Sequence, residues 1–378
     1  MIRSFLLRLA VLLAPFAVVL AFPFFVMWRA GEFMPLEEVA SIQKSSGATL
    51  YGVAYNNGWR RLKSVAVGVR RPAVVALGTS RVMQLREGFF RRPADFYNAG
   101  GATYDLSHLN DFLNDIGESR ENQPRILIIG LDQNFFNEKW HYPPELVATY
   151  GSNRFLTLAK GFQQNWKLVY SDYLHGKISL AKIASESGEK RRVGLSAMMD
   201  GGAFRSDGSF FYIRDVTAAL NGQLPTRVRF APQLSAIELG RDQFTWSESV
   251  SPVSIETLEA FLDRCHARGI HVVGFLPPYP HAVYARMHGS PHYRYLDRLG
   301  PQLAPLFARR GYTFEDLSDL ATVGGTDDET IDGFHASERA YLRVLIHLAE
   351  KDEALRREVD PARLRTLLAQ AKNPFETY

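Results

Sequence analysis

Between Leu9 and Trp28 the chain carries no charged side chain and almost nothing but aliphatic and aromatic residues. A run of this length matches the roughly 20 residues needed to cross a bilayer. Inside lipid the backbone must satisfy its own hydrogen bonds, so such a run must be helical. Pro15 and Pro23 are tolerated there because neighbouring groups re-satisfy the freed carbonyls. Arg3 and Arg8 precede the run and only Arg29 closely follows it, which predicts a cytoplasmic amino terminus and an extracytoplasmic remainder. The competing reading is a cleaved signal peptide, whose apolar core is shorter and ends at a small-x-small site. Phe22 to Trp28 offers no such site. The expectation is an uncleaved single-pass anchor over residues 1–29, in the cytoplasmic (inner) membrane, with the C-terminal domain in the periplasm.

The rest of the chain has the balance of a packed protein, with 46% hydrophobic and 22% charged residues over 378 positions. A net charge of +4 without a basic block interleaved with aromatics speaks against nucleic acid as a partner. A single cysteine, Cys265, excludes an intrachain disulfide; its place in the apolar series Leu258, Phe261, Leu262 reads as a buried helix face.

From residue 72 a rhythm of strand and helix begins. Ala73 to Leu77 and Arg125 to Ile129 are short runs that each stop at glycine, and Asp95 to Asn98 ends similarly in Ala99-Gly100-Gly101, as buried parallel strands do. Helical spacing follows over Tyr104–Ile116, Ser254–Arg268 and Tyr295–Arg309, with further strands at Ile270–Leu276 and Tyr312–Leu317. Alternation of this kind predicts an α/β fold: a three-layer α/β/α sandwich about a mostly parallel sheet. Residues 30–71 read as a juxtamembrane connector, 72–350 as the α/β domain, and 351–378 as a C-terminal helix and tail. The stretch at about 137–251 breaks the rhythm and reads as a long insertion over the carboxyl ends of the strands.

Three pieces of sequence carry candidate chemistry. Ser80, in Gly78-Thr79-Ser80-Arg81, directly follows a strand. Its hydroxyl would stand at the sheet's mouth and its N–H would be placed to hold an oxyanion; alone, the same tetrapeptide is an ordinary helix cap. Asp332 and His335, three apart in a loop before a helix, can share a hydrogen bond that leaves the other imidazole nitrogen free to take the serine proton. Between them lie Asn98-Ala99-Gly100-Gly101, with a backbone N–H for an oxyanion, and Gly130-Leu131-Asp132-Gln133-Asn134, with a side-chain amide. Trp140, with His141 and Tyr142, offers a face for a sugar ring, a role an aromatic loop plug would mimic. His266, His271, His281, His288 and His292 match no zinc spacing, so neither metal nor cofactor is expected.

In these residues the sequence resembles the SGNH superfamily, the GDSL-type hydrolases. The resemblance implies a flavodoxin-like strand order, a catalytic triad of Ser80, His335 and Asp332, and an oxyanion hole from Ser80, Gly100 or Gly101, and Asn134. Thr79 stands where the family has Asp, Arg81 where it has a hydrophobic residue, and Asp132 where the oxyanion asparagine belongs. An ionised carboxylate cannot donate to an oxyanion, so either Asn134 takes that role or Asp132 is structural, for instance as a partner of Arg81. Arg81, Asp132 and Trp140 are the candidate substrate-binding residues.

With its single anchor and large insertion, the chain is similar to the cell-envelope branch of that superfamily. These include the D-alanyl transfer protein of lipoteichoic-acid modification and the alginate and cellulose O-acetylation proteins. The resemblance implies a bacterial serine acyltransferase or esterase acting on an envelope glycan or acyl donor, with a polytopic membrane-bound O-acyltransferase as partner. The alternative is an inactive SGNH-like scaffold that binds glycan or assembles with that partner.

Overall fold

The computed structural model describes residues 2–55, 58–141, 154–188 and 191–377. It divides into two compact units, one made of residues 1–58 and 143–206, the other of 59–142 and 207–378.

The second unit is built on a five-stranded, all-parallel sheet. Its strands are β1 (Val74–Gly78), β2 (Phe96–Gly100), β3 (Ile126–Gly130), β4 (His271–Leu276) and β5 (Thr313–Asp316), in the order 2-1-3-4-5. The central strands β1 and β3 are apolar because every residue in them is buried. The edge strand β5 is correspondingly less buried and more polar. Val74, Ala76, Ile126, Ile128, Val273 and Phe275 face one side, where they pack on the helix Glu338–Lys351. On the other side Gly274 leaves room for Phe307 of the helix Leu296–Ala308; a Cβ there would lie 2.4 Å from the ring. Helices therefore cover both faces of the sheet. Val74 registers with Phe96 and Ile126, Ile126 with His271, and Val273 with Thr313, so all five carboxyl ends open on one edge.

Two expected boundaries fall elsewhere. The connector at 30–71 is split, because the helix Trp59–Arg70 buries Leu62, Lys63, Ala66 and Val67 in the sheet-bearing unit. The insertion at 137–251 is split as well: 143–206 joins the first unit, whereas the segment from Asp207 onward stays with the sheet, where the Asp207 carbonyl accepts from the Asn98 N–H. The C-terminal stretch forms two short helices, Glu353–Glu358 and Pro361–Gln370, because Asp360-Pro361 starts a new one. Leu355, Val359 and Leu364 from this stretch complete the core on that face. Cys265 is buried, and burial pushes its thiol up to about 12, which suits packing rather than nucleophilic chemistry.

In the first unit, short strands Arg192–Val193, Leu50–Tyr51 and Ala203–Phe204 pair side by side. The amino-terminal segment, expected to be an anchor, forms the helix Ile2–Ala30. Among the described residues no single helix is long and apolar enough to cross a membrane; the segments Ile2–Ala17 and Val19–Ala30 meet that test only together, bent by 49°. Its two halves differ in environment. Every residue from Ile2 to Ala17 is exposed, whereas Val26, Met27 and Ala30 are buried in a core with Val169, Ile183 and Leu195.

Candidate active site

The carboxyl end of β1 delivers Ser80 into a short 3-10 turn, Ser80–Val82, in place of the α-helix start that the sequence suggests. Thr79 caps this turn by accepting from the Arg81 N–H at 3.1 Å. The turn is seated by Val82, which plugs a notch between three strand ends. A Cβ on Gly78, Gly100 or Gly130 would approach its methyl groups to 3.0, 3.0 and 2.2 Å. Glycine at these ends is therefore required by close packing around the serine turn. Asn98 on β2 completes the seat: its amide donates to the Val82 and Leu85 carbonyls at 2.8 and 2.9 Å.

Across the sheet edge, the loop 330–336 closes on itself through an antiparallel bridge between Thr330 and Ala336 and a bond from the Ile331 N–H to the His335 carbonyl at 2.8 Å. Ser337 caps the following helix. Arg229 donates to the Thr330 and Ile331 carbonyls from behind, and Gly333 lies against Gln233. The loop is thus fixed at both ends and along its back.

These two pieces meet. Ser80 Oγ lies 2.8 Å from His335 Nε2, and His335 Nδ1 lies 2.9 Å from Asp332 Oδ2. Asp332 Oδ1 accepts from the backbone N–H groups of Phe334 and His335 at 2.7 and 2.6 Å. Burial alone would raise the Asp332 carboxyl, but the His335 imidazole and these hydrogen bonds outweigh it and hold the group below the usual carboxylate range. An ionised Asp332 oriented in this way fixes the tautomer with the proton on Nδ1, which leaves Nε2 as the acceptor facing the serine hydroxyl.

The remaining expected residues are placed differently. The Gly100 N–H donates to Asn98 Oδ1 at 2.7 Å and the Gly101 N–H to the Gly78 carbonyl at 2.9 Å. Both expected backbone donors are therefore committed to holding the strand ends, and of the expected oxyanion set Ser80 and Asn134 are left. Asn134 is buried, with its Oδ1 lacking a partner among the described residues.

Arg81, expected to bind substrate, is 1% exposed. It makes no ion pair with Asp132; it donates to Gln133 Oε1 at 2.6 Å and to the Pro277 carbonyl at 2.7 Å. Asp132 is equally interior, accepting from Thr79 Oγ1 at 2.9 Å with its second oxygen unpartnered. Burial pushes its carboxyl above the usual range, against the pull of Arg81, Thr79 and His335. Trp140 packs on Phe135 at 6.0 Å between ring centroids, and Tyr142 lies outside the described residues.

Three contributors were not singled out from sequence. Asn98 acts through its side chain; its signal is an amide amid the largely apolar residues of a strand, where it is fully buried. Phe334 sets its ring edge-on to His335 at 5.2 Å, and Tyr212 lies 5.5 Å from the same imidazole. Tyr212 comes from the irregular segment, where no periodicity marks it.

No family model matches the sequence, no curated protein matches it, and no solved structure matches the chain.

Proposed function

We propose that this protein is a membrane-anchored serine acyltransferase or esterase of SGNH type, acting in O-acylation of an envelope glycan. The observation that carries the reading is the Ser80–His335–Asp332 relay, with 2.8 and 2.9 Å between successive partners. Ser80 Oγ attacks the acyl carbonyl carbon as His335 Nε2 accepts its proton, giving a tetrahedral intermediate. The Ser80 N–H and the Asn134 amide are the donors assigned to its oxyanion. As the intermediate collapses, the bond to the leaving oxygen breaks, His335 returns the proton to that oxygen, and an ester on Ser80 remains. A glycan hydroxyl or water then gives its proton to His335 and adds to the ester carbonyl; as this second intermediate collapses, the bond to Ser80 Oγ breaks and His335 returns the proton to that oxygen. Transfer and hydrolysis differ only in that second nucleophile.

The strand order 2-1-3-4-5 and the order of site residues along the chain agree with the resemblance to the SGNH superfamily. The anchor is supported by the segment Ile2–Ala17, apolar apart from Arg3, Ser4 and Arg8 and exposed at every position, a composition stable in lipid rather than in water. A membrane-bound O-acyltransferase as partner follows from the same resemblance. The second reading, an inactive scaffold that binds glycan, is favoured by one observation: the Gly100 and Gly101 N–H groups are already engaged.

The test is covalent labelling of the purified full chain with a fluorophosphonate. Labelling of the wild type that disappears in Ser80→Ala and falls steeply in His335→Ala supports the enzyme. An unlabelled wild type, or a label retained in Ser80→Ala, rejects it in favour of the scaffold.

A further inference from the structure

Arg81 is a buried guanidinium with no carboxylate in contact among the described residues, a costly arrangement that a hydrophobic residue would avoid. Its environment is nevertheless specific. Cζ lies 4.0 Å from the Tyr279 ring centroid and 4.7 Å from that of Phe334, and the two centroids are 5.9 Å apart, so the guanidinium sits in an aromatic corner. The two terminal nitrogens reach Gln133 and the Pro277 carbonyl. One side chain thus joins the loops after β3 and β4 to the loop that carries the base, from a position next to the nucleophile. Phe334 is the link to chemistry, because its N–H donates to Asp332 Oδ1 and its ring abuts His335.

We propose that Arg81 is a positioning residue: by clamping Phe334, it holds the Asp332–His335 loop at the distance from which Nε2 meets Ser80 Oγ. This rests on the serine-nucleophile reading above. Lysine cannot substitute, because an ammonium lacks the flat face that packs on these rings and the fork that reaches both acceptors. A displacement of the imidazole by about 1 Å is worth on the order of 100-fold in rate, so the clamp is visible kinetically even where it adds little to stability.

The experiment compares Arg81→Met, Arg81→Lys, Phe334→Leu, Phe334→Tyr and the Arg81→Met/Phe334→Leu double variant in the full chain. It reads the second-order rate of fluorophosphonate labelling, the thermal unfolding midpoint, and hydrogen exchange of the peptide spanning 332–335. Labelling is expected to slow by about 10- to 100-fold in Arg81→Met and in Phe334→Leu, with Arg81→Lys no better than Arg81→Met. The double variant is expected to be no slower than the slower single one, since both remove the same contact. Phe334→Tyr, which keeps the ring, recovers most of what Phe334→Leu loses. The Phe334 and His335 amides are expected to exchange faster in Arg81→Met.

Labelling within twofold of wild type together with unchanged exchange overturns the proposal. So do single effects that multiply in the double variant, or a fall in rate that tracks the unfolding midpoint across the set. If Arg81→Met fails to fold, Phe334→Leu, at a half-exposed position, decides by the same two readings. An unlabelled wild type defeats the nucleophile assignment alone, and the exchange comparison still decides whether Arg81 holds the loop.

Discussion

Asp332 accepts three hydrogen bonds that favour its charge, and its two oxygens have different jobs. Oδ2 orients His335, while Oδ1 ties down the two backbone amides that set where the imidazole can sit. Asp332→Asn keeps the backbone bonds, since an amide oxygen accepts them, but presents an N–H to Nδ1 and selects the wrong tautomer. Labelling of Ser80 is expected to fall by roughly 10⁴-fold with little change in fold. The same residue has a pH signature. Its folded value lies below the unfolded one, near 3.9, so its contribution to stability is present above that value and lost as pH falls through the depressed folded value. Urea midpoints of wild type and Asp332→Asn should therefore differ at pH 6 and converge towards pH 3. A gap that stays constant would assign Asp332 no charge-dependent role in the fold.

The strands are the elements best anticipated from sequence. Buried parallel strands must be apolar on both faces, so β1 and β3 appear as uninterrupted runs that stop at glycine. What the run does not disclose is why glycine stands there: Gly78, Gly100 and Gly130 all yield space to Val82, which arrives from the serine turn, and Gly100 yields it to Asn98 and Met83 as well. Gly274 is the same case inside β4, with Phe307 as the occupant. Gly274→Ala is expected to cost about 1–3 kcal/mol through overpacking, read as a lower urea midpoint with an unchanged slope. Recovery on adding Phe307→Leu, which shortens the intruding ring, would tie the loss to that contact. No recovery would place the damage elsewhere. The boundaries of the segment at 137–251 were harder to anticipate, because its short helices and strands lack sustained periodicity and its partners are distant in sequence.

At the scale of the whole molecule, the two halves of the amino-terminal helix differ in burial. Residues 2–17 contribute nothing to the described core, whereas Val26, Met27 and Ala30 form part of the first unit's interior. A chain lacking 2–17 is accordingly expected to leave the membrane fraction and melt cooperatively. One lacking 2–30 is expected to lose that unit's core and aggregate. Equal behaviour of the two truncations would show that the second half of the helix is not needed for folding. The sequence alone determined the alternation of strand and helix, the apolar amino-terminal run, and the residue types of the Ser80, Asp332 and His335 set, because periodicity and side-chain chemistry are local properties. Tertiary structure decided which donors are already spent, that Arg81 and Asp132 lie inside, and that 143–206 belongs with the amino-terminal segment. Those outcomes depend on partners far apart in the chain, among them Ser80 and His335, brought to one sheet edge only when the parallel strands register.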